Sequence, residues 1–310
     1  AGVGQFVPCV LIGLGSFVLL GYPLGGGRIE TLYLSLFCAL SSTAIVVKLL
    51  YDKFELDTLP GRISLGILIF QDLWAILILA LQPNFMDPKL HLVRLALGTG
   101  VLRLGVGLLR SRLALRWIFA KIAKTPEMVV ATSIAWCAFM AGLGSWIGMS
   151  MEMGALIAGA AIASFPYGVH VTAKVLPLRD FFLTLFFLSI GMKIPFPDAA
   201  TLTMAVLIVL FVIASRFLTI YPILQLSGSG RRTSFITSLN LAQISEFSLV
   251  VAALGVQYGH IQQSLMSLTI YAMAITSVLS SYFIKGNHTI YLAFDRVLTR
   301  MGFPSKAARE

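Results

Sequence analysis

Charge is scarce in this sequence. Of its 310 residues, 12% are Asp, Glu, Lys or Arg and 58% are hydrophobic, whereas an average soluble domain carries about 25% charged residues. A soluble core of this size cannot hide so much apolar surface, because much of a soluble protein's exterior must face water. The composition excludes a soluble globular fold and points to an all-α polytopic membrane protein. Cysteine is also scarce. Cys9, Cys38 and Cys137 each sit in an apolar run, with no CxxC or Cys–His spacing, so no thiol metal centre or redox pair is expected and they read as small buried side chains. No Gly-x-Gly-x-x-Gly follows a strand pattern, so no nucleotide site, and no cofactor, is expected in this chain.

What the sequence does have is long apolar runs. A spanning helix needs about 20 apolar residues. Such runs fall near 3–22, 31–51, 62–82, 91–109, 127–147, 151–164, 180–193, 199–226, 233–257 and 263–284, about ten segments, of which 151–164 and 180–193 are short. The expected organisation is a membrane domain over 1–295 and a tail over 296–310. When the loops are numbered alternately, most basic residues share one side, and only Arg28, Lys89, Arg94 and Lys193 fall on the other. Basic loops stay in the cytoplasm, so both ends of the chain are expected there. Residues 110–124 combine five bases with Leu113, Trp117, Ile118 and Phe119, as in a helix lying along the lipid interface. The net charge of +10 thus hugs the ends of spans. The expected partner is the lipid bilayer and not nucleic acid.

Charge inside a bilayer is expensive, so each such residue is a functional candidate. Asp72 lies mid-run in LIFQDLWAILIL, Glu246 in LNLAQISEFSLVVAALG and Arg216 in VLFVIASRFLTIYPIL. Two spans also carry polar interruptions: Ser41, Ser42 and Thr43 in one, and Gln243, Ser245 and Glu246 in the other. Hydroxyl and amide groups can satisfy backbone groups freed where a helix unwinds. In many transporters two such helices meet at the bilayer midplane and bind ions with their exposed ends. Arg216 is expected to face the interior and pair with Asp72 or Glu246, since an unpaired guanidinium at that depth costs several kcal/mol.

The stretches LSSTAIVVKLL, GRISLGILIFQDLWAI, GMSMEMGALIAGAAIAS, LFFLSIGMKI and LAQISEFSLV resemble, in the same order, segments of Kef-type potassium/proton antiporters. The resemblance covers residues 1–295. It implies an inverted-repeat antiporter fold with two broken, crossing helices, a likeness that includes a dimerisation part and a moving core. It makes Asp72 the ion-binding carboxylate, for K+ or Na+, with Gln71 beside it. Ser42, Thr43 and Ala44 match the first broken helix, and Gln243, Ser245 and Glu246 the second. Members carry about three more helices before the position of Ala1, and many carry a nucleotide-binding regulatory domain after the last helix. A homodimer is implied for the whole protein. Three positions depart from the family pattern. Ser245 stands where Gly is usual, Glu152 where the family is apolar, and Arg216 where related antiporters often carry Lys, which replaces an ammonium by a permanent guanidinium.

The expected activity is electroneutral exchange of a monovalent cation for a proton by alternating access. Desolvation favours a protonated carboxyl and a bound cation favours the ionised one, so the two compete for Asp72. A sodium/proton exchanger and a sodium-coupled solute symporter are the alternatives, with a channel or an intramembrane aspartyl protease more remote. The protease needs two facing carboxylates, usually both Asp, and Asp72 is the one mid-membrane Asp.

Overall fold

The structure is a computed structural model that describes residues 2–22, 29–85, 115, 126–146, 151–163, 168–192 and 196–300. Among the described residues the regular elements are all helical: α1 (Gly2–Leu19), α2 (Glu30–Ala39), α3 (Thr43–Asp52), α4 (Leu59–Leu81) with a short 3-10 turn after it (Gln82–Asn84), α5 (Pro126–Trp146), α6 (Met151–Ala163), α7 (Gly168–Gly191), α8 (Ala199–Leu226), α9 (Arg231–Asn240), α10 (Glu246–Gln257), α11 (Gln263–Lys285) and α12 (Asn287–Arg300). Among the described residues, five segments are long and apolar enough to cross a membrane: Glu30–Asp52, Leu59–Leu79, Glu127–Trp146, Ala199–Leu226 and Gln263–Lys285. The apolar run expected at 180–193 is the second half of a longer helix, α7. Lys174, Pro177 and Arg179 interrupt its hydropathy without ending it. The span expected at 91–109 and the interfacial helix at 110–124 lie outside the described residues, save for Leu115. The boundary expected at 295 falls inside α12, and residues 301–310 lie outside the described residues.

The chain forms two compact units. One comprises Ala1–Ala75 with Phe196–Glu310, the other Ile76–Pro195. In the second unit α5 and α6 pack closely. A Cβ on Gly154 would overlap the Met140 carbonyl, so only glycine lets the two backbones approach this far, as small residues do between membrane helices.

In the first unit α8 packs against α1, α2, α9 and α11, and α10 packs against α2 and α11. Val46, Leu50, Ile67, Leu68, Ile220, Leu224, Leu241 and Ile284 form one buried cluster. It ties α3, α4, α8 and α11 together around the two segments where helices stop. A second cluster, Phe235, Ile236, Leu239 and Tyr291, with Phe217 and Phe294 against it, docks α12 onto α9.

A polar clasp closes the same junction. Glu55, in the α3–α4 connection, accepts hydrogen bonds from Asn287 Nδ2 (3.1 Å) and His288 Nε2 (2.9 Å) and pairs with Lys53 Nζ (2.8 Å). Lys53 Nζ also donates to Asn287 Oδ1 (2.6 Å) and to the Ile284 carbonyl (3.0 Å). Burial by itself raises the Glu55 carboxyl, but the hydrogen bonds from Lys53, Asn287 and His288 outweigh it and hold the group below its ordinary 4.5. A depressed carboxyl adds stability that is fully present above its unfolded-state value and is lost as pH falls through its folded-state value. The melting temperature of the solubilised protein should therefore drop on acidification below 4.5. Glu55→Gln should flatten that drop, measured as thermal unfolding against pH.

Candidate functional site

Two non-helical stretches lie in the first unit. Leu40–Ser42 separates α2 from α3, and Leu241–Ser245 separates α9 from α10. Each ends on a serine N-cap. Ser42 Oγ accepts from Ile45 N (3.3 Å), and Ser245 Oγ accepts from Phe247 N (3.2 Å). Ser is a strong N-cap because its hydroxyl satisfies an amide that the helix leaves free. Ser245 thus supplies, by capping, a helix start at a position where the resembling family has glycine.

Backbone groups inside a membrane protein must find partners, and here they find them largely in each other. Ser245 N donates to Leu40 O (3.2 Å). Ser41 Oγ donates to Leu241 O (2.9 Å), and Gln243 Nε2 reaches Ser42 O (3.5 Å). Ile244 N donates to Thr276 Oγ1 on α11 (3.3 Å). Ser41 N donates to Gln71 Oε1 on α4 (2.8 Å). The two stretches are therefore one hydrogen-bonded junction.

Asp72 sits beside it. On α4 it follows Gln71 directly, so the two side chains leave the helix about 100° apart. Gln71 is fully buried against the junction. Asp72 is half-buried, and its two carboxylate oxygens share one donor, Thr43 Oγ1, at 3.3 Å each. Thr43 is the first residue of α3, so the carboxylate lies against the amino end of that helix, where the free amides of Thr43 and Ala44 and the helix dipole favour negative charge. Glu246, half-buried in the first turn of α10, is near enough to repel it electrostatically. Among the described residues no cationic side chain lies within ion-pair distance of Asp72. A carboxylate so placed is free to take up a proton or a small cation.

Arg216 corrects an expectation. It faces the interior, fully buried, as expected. It pairs with neither Asp72 nor Glu246. Its Nε donates to Leu241 O (2.9 Å), its Nη1 contacts Cys9 Sγ (3.4 Å), and its Nη2 has no partner. Leu241 is the residue on which α9 ends. The carboxyl end of a helix concentrates partial negative charge, so a guanidinium there is stabilised without a carboxylate. Cys9, a bland buried side chain in the sequence, receives that contact and in turn donates to the Cys38 carbonyl at 3.8 Å. Gln5 was not singled out from sequence either. Its side chain, wholly buried, accepts from Gln71 Nε2 at 2.8 Å. The available signal was a lone amide in an otherwise apolar run.

The family model described as "Sodium/hydrogen exchanger, transmembrane" matches residues 1–286. This chain belongs to that family. With its five candidate spans it is a multi-pass integral membrane chain of a transporter family. Curated relatives include K(+) efflux antiporter 6 of Arabidopsis thaliana, 29% identical over 240 residues, which covers 73% of this chain and 40% of the relative. K(+) efflux antiporter 4 of the same plant is 28% identical over 275 residues, 84% of this chain and 46% of the relative. The iron transporter MagA of Paramagnetospirillum magneticum is 27% identical over 279 residues, 87% and 63% respectively. The chain thus spans less than two thirds of the length of each.

Proposed function

We propose that this exchanger-family protein carries a monovalent cation, potassium, against protons, with the two competing for Asp72. The observation that carries the reading is the Asp72 environment: a half-buried carboxylate beside the junction of two helix interruptions, touched by one neutral hydroxyl and by no cation among the described residues. Such a group must be neutralised to be stable at membrane depth, and a proton or a monovalent cation each does so. One carboxylate trading one for the other conserves charge, so the exchange is electroneutral. Leu40–Ser42 and Leu241–Ser245 serve as the breaks of two crossing membrane helices, one in each of two inverted repeats, and alternating access turns competition into transport. Ser42, Thr43 and Ala44 supply the first break's share of the ion site, and Gln243, Ser245 and Glu246 flank it from the second. The bias of basic residues supports an orientation with both ends of the chain in the cytoplasm. The working unit is a homodimer of the whole protein. Potassium is favoured by the names of the plant relatives, and sodium, from the family description, is the comparison to make.

The test is cation-evoked proton flux in everted vesicles from cells making the intact protein. Potassium added at fixed pH should release protons more strongly than sodium; the absence of flux with both ions sinks the reading. Glu246→Gln should slow exchange or shift its pH dependence by about threefold to tenfold without abolishing it, because Glu246 repels the Asp72 charge but is not its ligand. Complete loss in Glu246→Gln, at normal protein abundance, would make Glu246 a second transport carboxylate.

A further inference from the structure

We infer that Gln5 is a positioning residue for the ion site and acts through Gln71. The inference rests on Asp72 and the helix junction being the transport site. Its own support is a hydrogen-bond chain whose direction is forced. A backbone amide can only donate, so Ser41 N, in the α2–α3 interruption, requires the oxygen of the Gln71 amide and takes it at 2.8 Å. The Gln71 nitrogen must then donate elsewhere, and the acceptor is Gln5 Oε1 at 2.8 Å. All three residues are buried, Gln5 at 0%, Gln71 at 1% and Ser41 at 1% exposure. Without an acceptor at residue 5, the Gln71 nitrogen is buried and unpaired, and the side chain loses one of the two bonds that hold it against Ser41. Turned over, it would set donor against donor, a state that buried polar groups avoid.

The consequence reaches the carboxylate. Ser41 lies in the interruption two residues before Thr43, which begins α3 and carries the hydroxyl on Asp72. Pinning Ser41 N fixes the local backbone from which Thr43 reaches Asp72. Cys9, one helical turn after Gln5 on the same face of α1, takes the Arg216 contact at 3.4 Å. That face of α1 therefore carries two of the junction's supports, one to α4 and one to α8.

Gln5→Met keeps the size and removes the acceptor. Gln5→Glu keeps an acceptor for Gln71 Nε2 and gives up only Gln5 Nε2, which has no partner. In the vesicle assay, Gln5→Met should raise the apparent KM for the cation about tenfold with maximal rate per transporter within about twofold, the signature of altered binding geometry. Gln5→Glu should stay within about threefold of the wild-type KM, with a shifted pH profile. In a Gln71→Leu background, Gln5→Met should add less than about twofold, because residues acting as one unit are not additive. A wild-type KM in Gln5→Met, or full additivity with Gln71→Leu, overturns the inference. So does loss of membrane-inserted protein in Gln5→Met that Gln5→Glu shares, since the role is then purely structural. Asp72→Asn, run alongside, separates the two failures. If it retains exchange, the site assignment has failed; if it is inactive and Gln5→Met is normal, only the role of Gln5 has.

Discussion

Asp72→Asn is expected to leave the protein inserted in the membrane and to remove cation-driven proton movement. Asparagine has the shape of aspartate, and its carbonyl oxygen still accepts the Thr43 hydroxyl that bonds both Asp72 oxygens in the wild type. It can neither carry a negative charge nor bind a proton reversibly, which are the two properties that exchange requires. The expected rate is at background, at least about a hundredfold down, with melting temperature unchanged or raised, since an expensive membrane charge is gone. Asp72→Glu keeps the charge and alters its reach, so partial exchange with a changed cation affinity is expected. In the wild type, competition predicts that the apparent cation KM climbs about tenfold per pH unit once the carboxyl is mostly protonated. Both are read from proton flux against cation concentration at several pH values. Wild-type exchange by Asp72→Asn would move the ion site to Glu246.

Arg216→Ala should cost the protein about 3–5 kcal/mol of stability. Truncation empties the space of a fully buried arginine and deletes the charge at the carboxyl end of α9. Leu241 O keeps its bond from Ser41 Oγ, so the loss is chiefly cavity and helix-end electrostatics and not an orphaned carbonyl. Arg216→Lys retains a cation near that carbonyl but not the second reach to Cys9 Sγ, and it should lose less. Melting of the solubilised variants distinguishes the roles. A severe drop for Ala with partial recovery for Lys is expected. An Arg216→Ala melt matching the wild type would show that the guanidinium contributes nothing to the junction.

Much of this protein follows from the order of its residues. Scarce charge and long apolar runs determine a helical membrane protein. Asp72, Glu246 and Arg216 announce themselves because ionisable groups at membrane depth are costly. Clustered polar residues, Ser41, Ser42 and Thr43 in one case and Gln243, Ser245 and Glu246 in the other, mark where α2 and α9 stop, since hydroxyl and amide side chains can serve freed backbone groups. Hydropathy misplaced α7, because Lys174 and Arg179 break an apolar run without breaking a helix. It also left 287–300, an amphipathic helix docked by Phe235 and Tyr291, without a helical expectation.

The partners were beyond sequence. A guanidinium at depth seeks negative charge, and two carboxylates were in view, but the carboxyl end of a helix is also negative and has no letter in the sequence. Only the tertiary arrangement, which brings Leu241 O to 2.9 Å from Arg216 Nε, decides between them. Gln5 makes the same point from the other side. A lone amide on α1 carries no signal by itself, because its meaning depends on a residue 66 positions away whose nitrogen needs an acceptor. Residue type sets which bonds a side chain can make. Which of them it does make is fixed by distances of a few ångströms between segments far apart in the chain, and those exist only once the helices have packed.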